Sequence, residues 1–436
     1  MRLRNDLLDG EGPDGLAVYQ LTEEAVPSSH VYTEAQIFCP DSRRFILHRS
    51  AHAHGSDRTD PEHRYLLCDL ADGGRLSPLT EEIGAVAPSM SPDGRWLYYF
   101  IDQTEVGGGR LTLRRVRVDG TGRETVLVVD GPISGGRLRP SHVYPISTIS
   151  SDGRRLVLPA FLGDGNLMPP PWGMLVFDLD RAEATAIALG EEWGNLHAQY
   201  CRSTDPAASR DLLLQHDHGN HYGPDGTMIV RGAAAFDSAE QTLARGALQR
   251  GKGPQDWFSG LGVDVHVLRD DGTNLRSLPL GRDGNERLQG HQCWRGRTEW
   301  VITSTQTLEP PGEFLIEAGV LSADRPHDGL RVPGGVRNRL CRDLPESHFY
   351  HFATDIAGRR IISDFGRGMA ATKLYLGILG EAGRDAARWT YLLDTREQVR
   401  KETQLHPFLS PDGRTAFFNS AESGLLQAYM ITGLPD

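Results

Sequence analysis

The chain has 436 residues, 24% charged and 39% hydrophobic, with 50 Gly and 26 Pro, a globular and turn-rich composition that excludes a collagen-like or disordered protein. Forty-six basic against 58 acidic residues leave a formal charge of -12, so no broad phosphate-binding surface and no nucleic-acid partner are expected. No segment approaches the roughly 18 uncharged apolar residues of a membrane span, and MRLRNDLLDG lacks an apolar run of signal-peptide length, so the expected location is cytoplasmic, without a membrane partner.

In chain order, LAVYQLT near the N-terminus reads as a lone strand, and the same unit then recurs seven times. The copies are IFCPDSRRFILH from Ile37, APSMSPDGRWLYYF from Ala87, STISSDGRRLVLPA from Ser147 and CRSTDPAASRDLLLQH from Cys201, then CWRGRTEWVITS from Cys293, ATDIAGRRIISDF from Ala353 and HPFLSPDGRTAFFN from His406. The clearest copies place an Asp-Gly turn between two β-prone runs, the mark of a tight hairpin. The turn markers Ser42, Gly94, Gly153, Ser209, Gly296, Gly358 and Gly413 stand 52, 59, 56, 87, 62 and 55 residues apart. A second pair of strand-like runs follows most hairpins, such as MLVFDLDRAEATAIAL, and four strands at this period make a propeller blade. The fold class predicted is all-β: one seven-bladed propeller domain over residues 1–436, its ring closed by the N-terminal strand in the last blade.

The long interval holds an insertion over residues 223–260, in which FDSAEQTLARGALQR has helix-favouring composition behind a capping Asp237 and predicts one short helix. A lid, an oligomer contact and an inert loop all fit such an excursion, and the chain is expected as a monomer or homodimer. The five cysteines are odd in number and widely spaced, which predicts buried, reduced thiols.

Aligning the repeats places His197, His291, His351 and His406 near the start of the innermost strand of blades four to seven, on an arc around one mouth of the channel. The loops SAHAHGSDR, with His52 and His54, and HDHGNHY, with His216, His218 and His221, open on the same face. A single histidine at a strand start is ordinarily a hydrogen-bonded structural residue; four at one repeat position are harder to explain that way. Neutral imidazoles with Gln404 nearby suit a divalent ion of intermediate softness. The HDHGNHY loop offers either a general base or a solvated polar surface.

These residues resemble a known family, the oligogalacturonate lyases, seven-bladed propellers that cleave pectin fragments by β-elimination. LHAQYCR, QHDHGN and GHQCW resemble family segments in blades four and five; HFATDIAGRRIISDFG and QLHPFLSPDG resemble segments in the last two blades. The resemblance implies a divalent metal, manganese first with zinc or calcium as alternatives, held by His291, Gln404 and His406. The family's final His-Pro-His is His-Pro-Phe here, with Phe408 in place of a ligand and a Gln-to-His spacing one residue shorter, and His351 is taken as the replacement. It also implies a catalytic centre near His197, Arg202 and His216, with the choice between His197 and His216 as base open. His218, His221, Asp364 and Arg367 are the expected substrate contacts, although Asp364 and Arg367 equally suit a mutual ion pair.

Elimination from a uronate asks for these residue types. Removing the proton alpha to the carboxylate throws charge onto that carboxylate, where a cation or arginine stabilises it, while a neutral imidazole accepts the proton. Arg202 suits a carboxylate clamp, since its planar fork matches carboxylate geometry. The expected function is a polysaccharide or oligosaccharide lyase with an acidic oligosaccharide as substrate. The alternatives are a non-catalytic propeller scaffold and, without support from any G-x-S-x-G segment, a serine hydrolase.

Overall fold

The computed structural model describes the chain apart from residues 24, 56, 58, 106–107, 134–135, 164–170, 191–192, 218–219, 223–227, 231–262, 282–286, 309–310, 321–336, 343, 345–346 and 367–370. Among the described residues its strands form seven antiparallel blade sheets that follow one another along the chain, and one separate two-stranded hairpin. Among the described residues, helical structure is limited to short 3-10 turns, and no helix is long and apolar enough to cross a membrane.

Each sheet is a four-stranded blade built outward from the channel. Blade one runs Ser28–His30, Arg44–Arg49, Arg64–Asp69 and Arg75–Pro78, and blade six runs Phe349–Thr354, Arg360–Phe365, Lys373–Ile378 and Arg388–Asp394. In blade three the inner strand is split into Arg139–Val143 and Thr148–Ile149, both paired with Arg155–Gly163. Blade seven takes Phe408–Leu409, Ala416–Ser420 and Gln427–Thr432 from the C-terminus and Ala17–Gln20 from the N-terminus. The register Ala17↔Thr432 to Gln20↔Tyr429 closes the ring as the repeat count predicts, and Arg2–Leu3 adds a short fifth strand. The Arg4 guanidinium donates to Glu422 at 2.6 Å across the same seam.

The core lies between blades because each strand has two buried faces. Along Arg155–Gly163, Leu156, Leu158, Ala160 and Leu162 pack toward blade two, while Val157 and Phe161 pack toward blade four. The period of two in the sequence is thus divided between two interfaces. Phe417 faces blade one and its neighbours Ala416 and Phe418 face blade six by the same rule. Burying each such leucine or phenylalanine is worth about 1.5–3 kcal/mol. The five cysteines are free and buried within these layers, where desolvation pushes the thiols of Cys68, Cys201 and Cys293 up to about 12.

The Asp-Gly turns share one hydrogen-bond pattern. Ser91, Ser150 and Ser410 each donate to the Asp two residues on at 2.6 Å, and each hydroxyl accepts a backbone N–H from the start of the next strand. Gly94 sits at φ +68°, and a Cβ there would lie 2.6 Å from Pro40 Cδ of the preceding blade. Beyond the second strand of blade four, Asn220–Tyr222 and Met228–Val230 pair as a hairpin; the predicted helix of the insertion lies outside the described residues.

Candidate active site at one mouth of the channel

The histidines stand where the inner strands depart from regular pairing. His197 and His406 adopt φ +44°, a left-handed conformation that costs a non-glycine residue of order 1–3 kcal/mol and is held here by the surrounding blades. His291 and His351 fall inside register shifts, between Leu288 and Gln292 and between Phe349 and Phe352. A bulge re-aims the side chain it carries.

The result is an arc of imidazoles. The ring centroids of His291 and His351, of His351 and His406, and of His406 and His54 are each 4.5 Å apart. Burial, followed by the neighbouring imidazoles, holds His291 and His406 well below the ordinary histidine value, and burial brings His351 to about 3. These rings are neutral. Both ring nitrogens of His406, and Nδ1 of His291, are buried without a hydrogen-bond partner, although the Ala53 backbone comes close enough to favour the His406 cation slightly. Gln404 is buried two residues before His406.

His351 is oriented from its own blade: Asp364 Oδ1 accepts its backbone N–H at 2.6 Å and Oδ2 lies 2.8 Å from Nδ1. Burial pushes the Asp364 carboxyl well above the usual carboxylate range, and the backbone N–H groups of His351 and its neighbours oppose that rise. The expected substrate contact at Asp364 is instead an internal support, 1% exposed.

Across the channel, His197 belongs to a different chain of contacts. Its Nδ1 is 2.9 Å from Glu34 Oε2, and its Nε2 is 2.9 Å from Tyr144 Oη, whose single O–H has Asn195 Oδ1, at 3.0 Å, as its other acceptor. Glu34 and His197 are buried, while Tyr144 is partly exposed. Desolvation raises the Glu34 carboxyl and His197 opposes that rise.

Glu34 reaches this position because residues 31–37 of blade one cross the channel. The Met90 N–H donates to Gln36 O, the Gln36 amide exchanges hydrogen bonds with Ile149 of blade three, and Tyr32 lies against His54, His197, His351 and His406. Tyr32, Glu34 and Tyr144 escape sequence reading because none falls on a repeat marker; the run VYTEAQ between the first strand and the first hairpin was the available signal.

Two further expected residues have other neighbours. His216 stacks on Trp193 with centroids 4.0 Å apart and planes at 7°, beside His266, and its described ring contacts include neither His197 nor the arc. Arg202 lines the opposite end of the channel. His218 and Arg367 lie outside the described residues, as does the His221 side chain. Among the described residues, no group of three or more His, Cys, Asp or Glu is arranged as a ready-made metal site. The donor chemistry nevertheless fits a divalent cation, because neutral imidazole nitrogens are buried there without partners.

No family model matches the chain, and no curated protein matches its sequence. Among solved structures, an oligogalacturonate lyase in complex with manganese aligns over 100% of this chain and 97% of its own, at 18% identity and a TM-score of 0.64. A second, from Vibrio parahaemolyticus, covers 100% and 98% at 15% identity and a TM-score of 0.60. The fold is that of the oligogalacturonate lyases. The resemblance read from the sequence is met at that level, and these lyase structures share the whole seven-bladed ring.

Proposed function

We propose that the protein is a lyase that cleaves a uronate-containing oligosaccharide by β-elimination, with a divalent metal, manganese first, at the histidine mouth. The observation that carries this reading is the pairing, across Tyr32, of an arc of neutral histidines with a carboxylate-supported His197.

His291, His351, His406 and Gln404 would hold the metal, with His54 completing the arc. Asp364 on Nδ1 of His351 leaves Nε2 as the ligating nitrogen, the usual outer support of a metal-bound histidine. When bound, the metal supplies positive charge for the substrate carboxylate as electron density moves onto it. Neutral ligands leave that charge undiminished.

Glu34, His197 and Tyr144 form the proton path. Tyr144, partly exposed, would take the substrate's alpha proton as its own hydroxyl proton passes to His197 Nε2, and Glu34 would stabilise the imidazolium that results. Arg202, which lines the cavity at the turns, and His216, which stacks on Trp193, are given no role in this proton path. The site opens on a protein of net charge -12, so attraction for an acidic sugar has to be local.

A second reading, a non-catalytic binding propeller, draws on the lack of a ready-made metal group among the described residues. A screen of uronic-acid oligosaccharides for the ultraviolet absorbance of an unsaturated product separates the two. The lyase reading expects absorbance on at least one uronate; binding without absorbance on every uronate supports the scaffold.

A further inference from the structure

At its other end the channel offers a different chemistry. All seven blades contribute to a cavity of about 200 Å³ at the turns that follow the inner strands, and Phe38, Met90, Ile149 and Phe408 give it apolar walls. Thr33, Ala35 and Gln36 of the crossing segment line it, and no histidine does. It is thus distinct from the histidine mouth.

Two arginines, Arg202 of blade four and Arg297 of blade five, line this cavity, and no Asp or Glu does. The nearby turn acids Asp93, Asp152 and Asp412 are held by Ser91, Ser150 and Ser410 of their own turns. Among the described residues neither arginine has an ion pair. Burial pulls the Arg202 guanidinium below its ordinary value, the mark of a cation whose desolvation is not compensated. Arg202 is only partly exposed, a desolvated charge left unpaired is costly, and an entering anion would relieve that cost.

We propose that this cavity binds a small organic carboxylate, its charged group met by Arg202 and Arg297 and its apolar body lying against Phe38, Met90, Ile149 and Phe408. The planar fork of arginine matches a carboxylate, and the walls favour an aryl or alkyl body over a sugar. Several polar groups lining the cavity are already engaged: Ser151 Oγ donates to Ser203 O, Thr354 Oγ1 to Trp294 O, and the Gln36 amide bonds Ile149. A hydroxyl-rich ligand would find few partners. The inference is independent of the lyase reading.

Calorimetric titration of the full chain with benzoate tests it, with acetate and benzamide as probes lacking the apolar body and the charge. One benzoate per chain is expected, with both controls at least tenfold weaker. Arg202→Gln should weaken benzoate at least tenfold and Arg297→Gln, at an exposed position that folding does not need, should weaken it measurably, while His406→Ala leaves it unchanged. The proposal is overturned if benzoate fails to bind, if both arginine variants bind it like the parent, if phosphate binds as well as benzoate, or if His406→Ala abolishes binding.

Discussion

Glu34 of blade one reaches across the channel to His197 of blade four, Oε2 to Nδ1 at 2.9 Å, though the two are 163 positions apart in the chain. The contact fixes which imidazole nitrogen faces Tyr144, and so which atom handles the proton.

Glu34→Gln keeps the shape but removes the charge that steadies a protonated His197. On the substrate that the uronate screen identifies, kcat should fall by about 10²-fold or more with KM little changed. Glu34→Ala should in addition lower unfolding stability by about 1–3 kcal/mol, because a buried ring nitrogen loses its partner. Steady-state kinetics and denaturant unfolding of both variants check this; equal turnover in Glu34→Gln and the parent would remove His197 from the proton path.

His406→Ala deletes a ring whose two nitrogens are buried without partners, so the metal-free protein should lose little stability. The parent, by contrast, should gain about 2.7 kcal/mol when free Mn²⁺ is at one hundred times its dissociation constant, through mass action alone. Thermal melts with and without Mn²⁺ should show a rise in the parent and none in the variant. The same rise in both would place the ion elsewhere.

Glu397 carries the clearest pH dependence away from the channel. Burial raises its carboxyl from 4.5 to about 7, with Glu422 adding to the rise and the Ala421 N–H opposing it. The folded state therefore binds this proton more tightly than the unfolded chain does. The stability it confers is fully present below about pH 4.5 and is lost as pH rises through 7. Glu397→Gln should match the parent near pH 4.5 and exceed it at pH 8; melting curves at both values decide.

Gly94→Ala should destabilise the ring by about 1–3 kcal/mol, because its φ of +68° disfavours a side chain and the new Cβ would meet Pro40 Cδ at 2.6 Å. The loss should appear as a lower denaturant midpoint with an unchanged slope. A neutral result would mean that the turns do not lock neighbouring blades together.

Much of the architecture was legible because a propeller writes one unit repeatedly. The Asp-Gly turns and the alternation visible in RRLVLPAFLG both survive as single-sequence signals, and the unmatched LAVYQLT strand foretold ring closure. The histidine arc was legible for the same reason, since His351 and His406 occupy equivalent repeat positions. What defeated sequence reading was long-range placement. Glu34 meets His197 only because residues 31–37 cross the channel, a path no periodicity announces. Arg202 and His197 are five residues apart, yet the inner strand carries them to opposite ends of the channel. Asp364 was expected to meet substrate or pair with Arg367, whereas the strand turns it inward to His351.

The most direct test of the central claim is the rate of unsaturated-product formation from the identified uronate, measured as purified, after chelation, and after Mn²⁺ is restored, in the parent and in His406→Ala. The account predicts that chelation abolishes the parent's rate, that Mn²⁺ restores it, and that His406→Ala stays inactive throughout while remaining folded. A rate that survives chelation, or a His406→Ala protein as active as the parent, would contradict it.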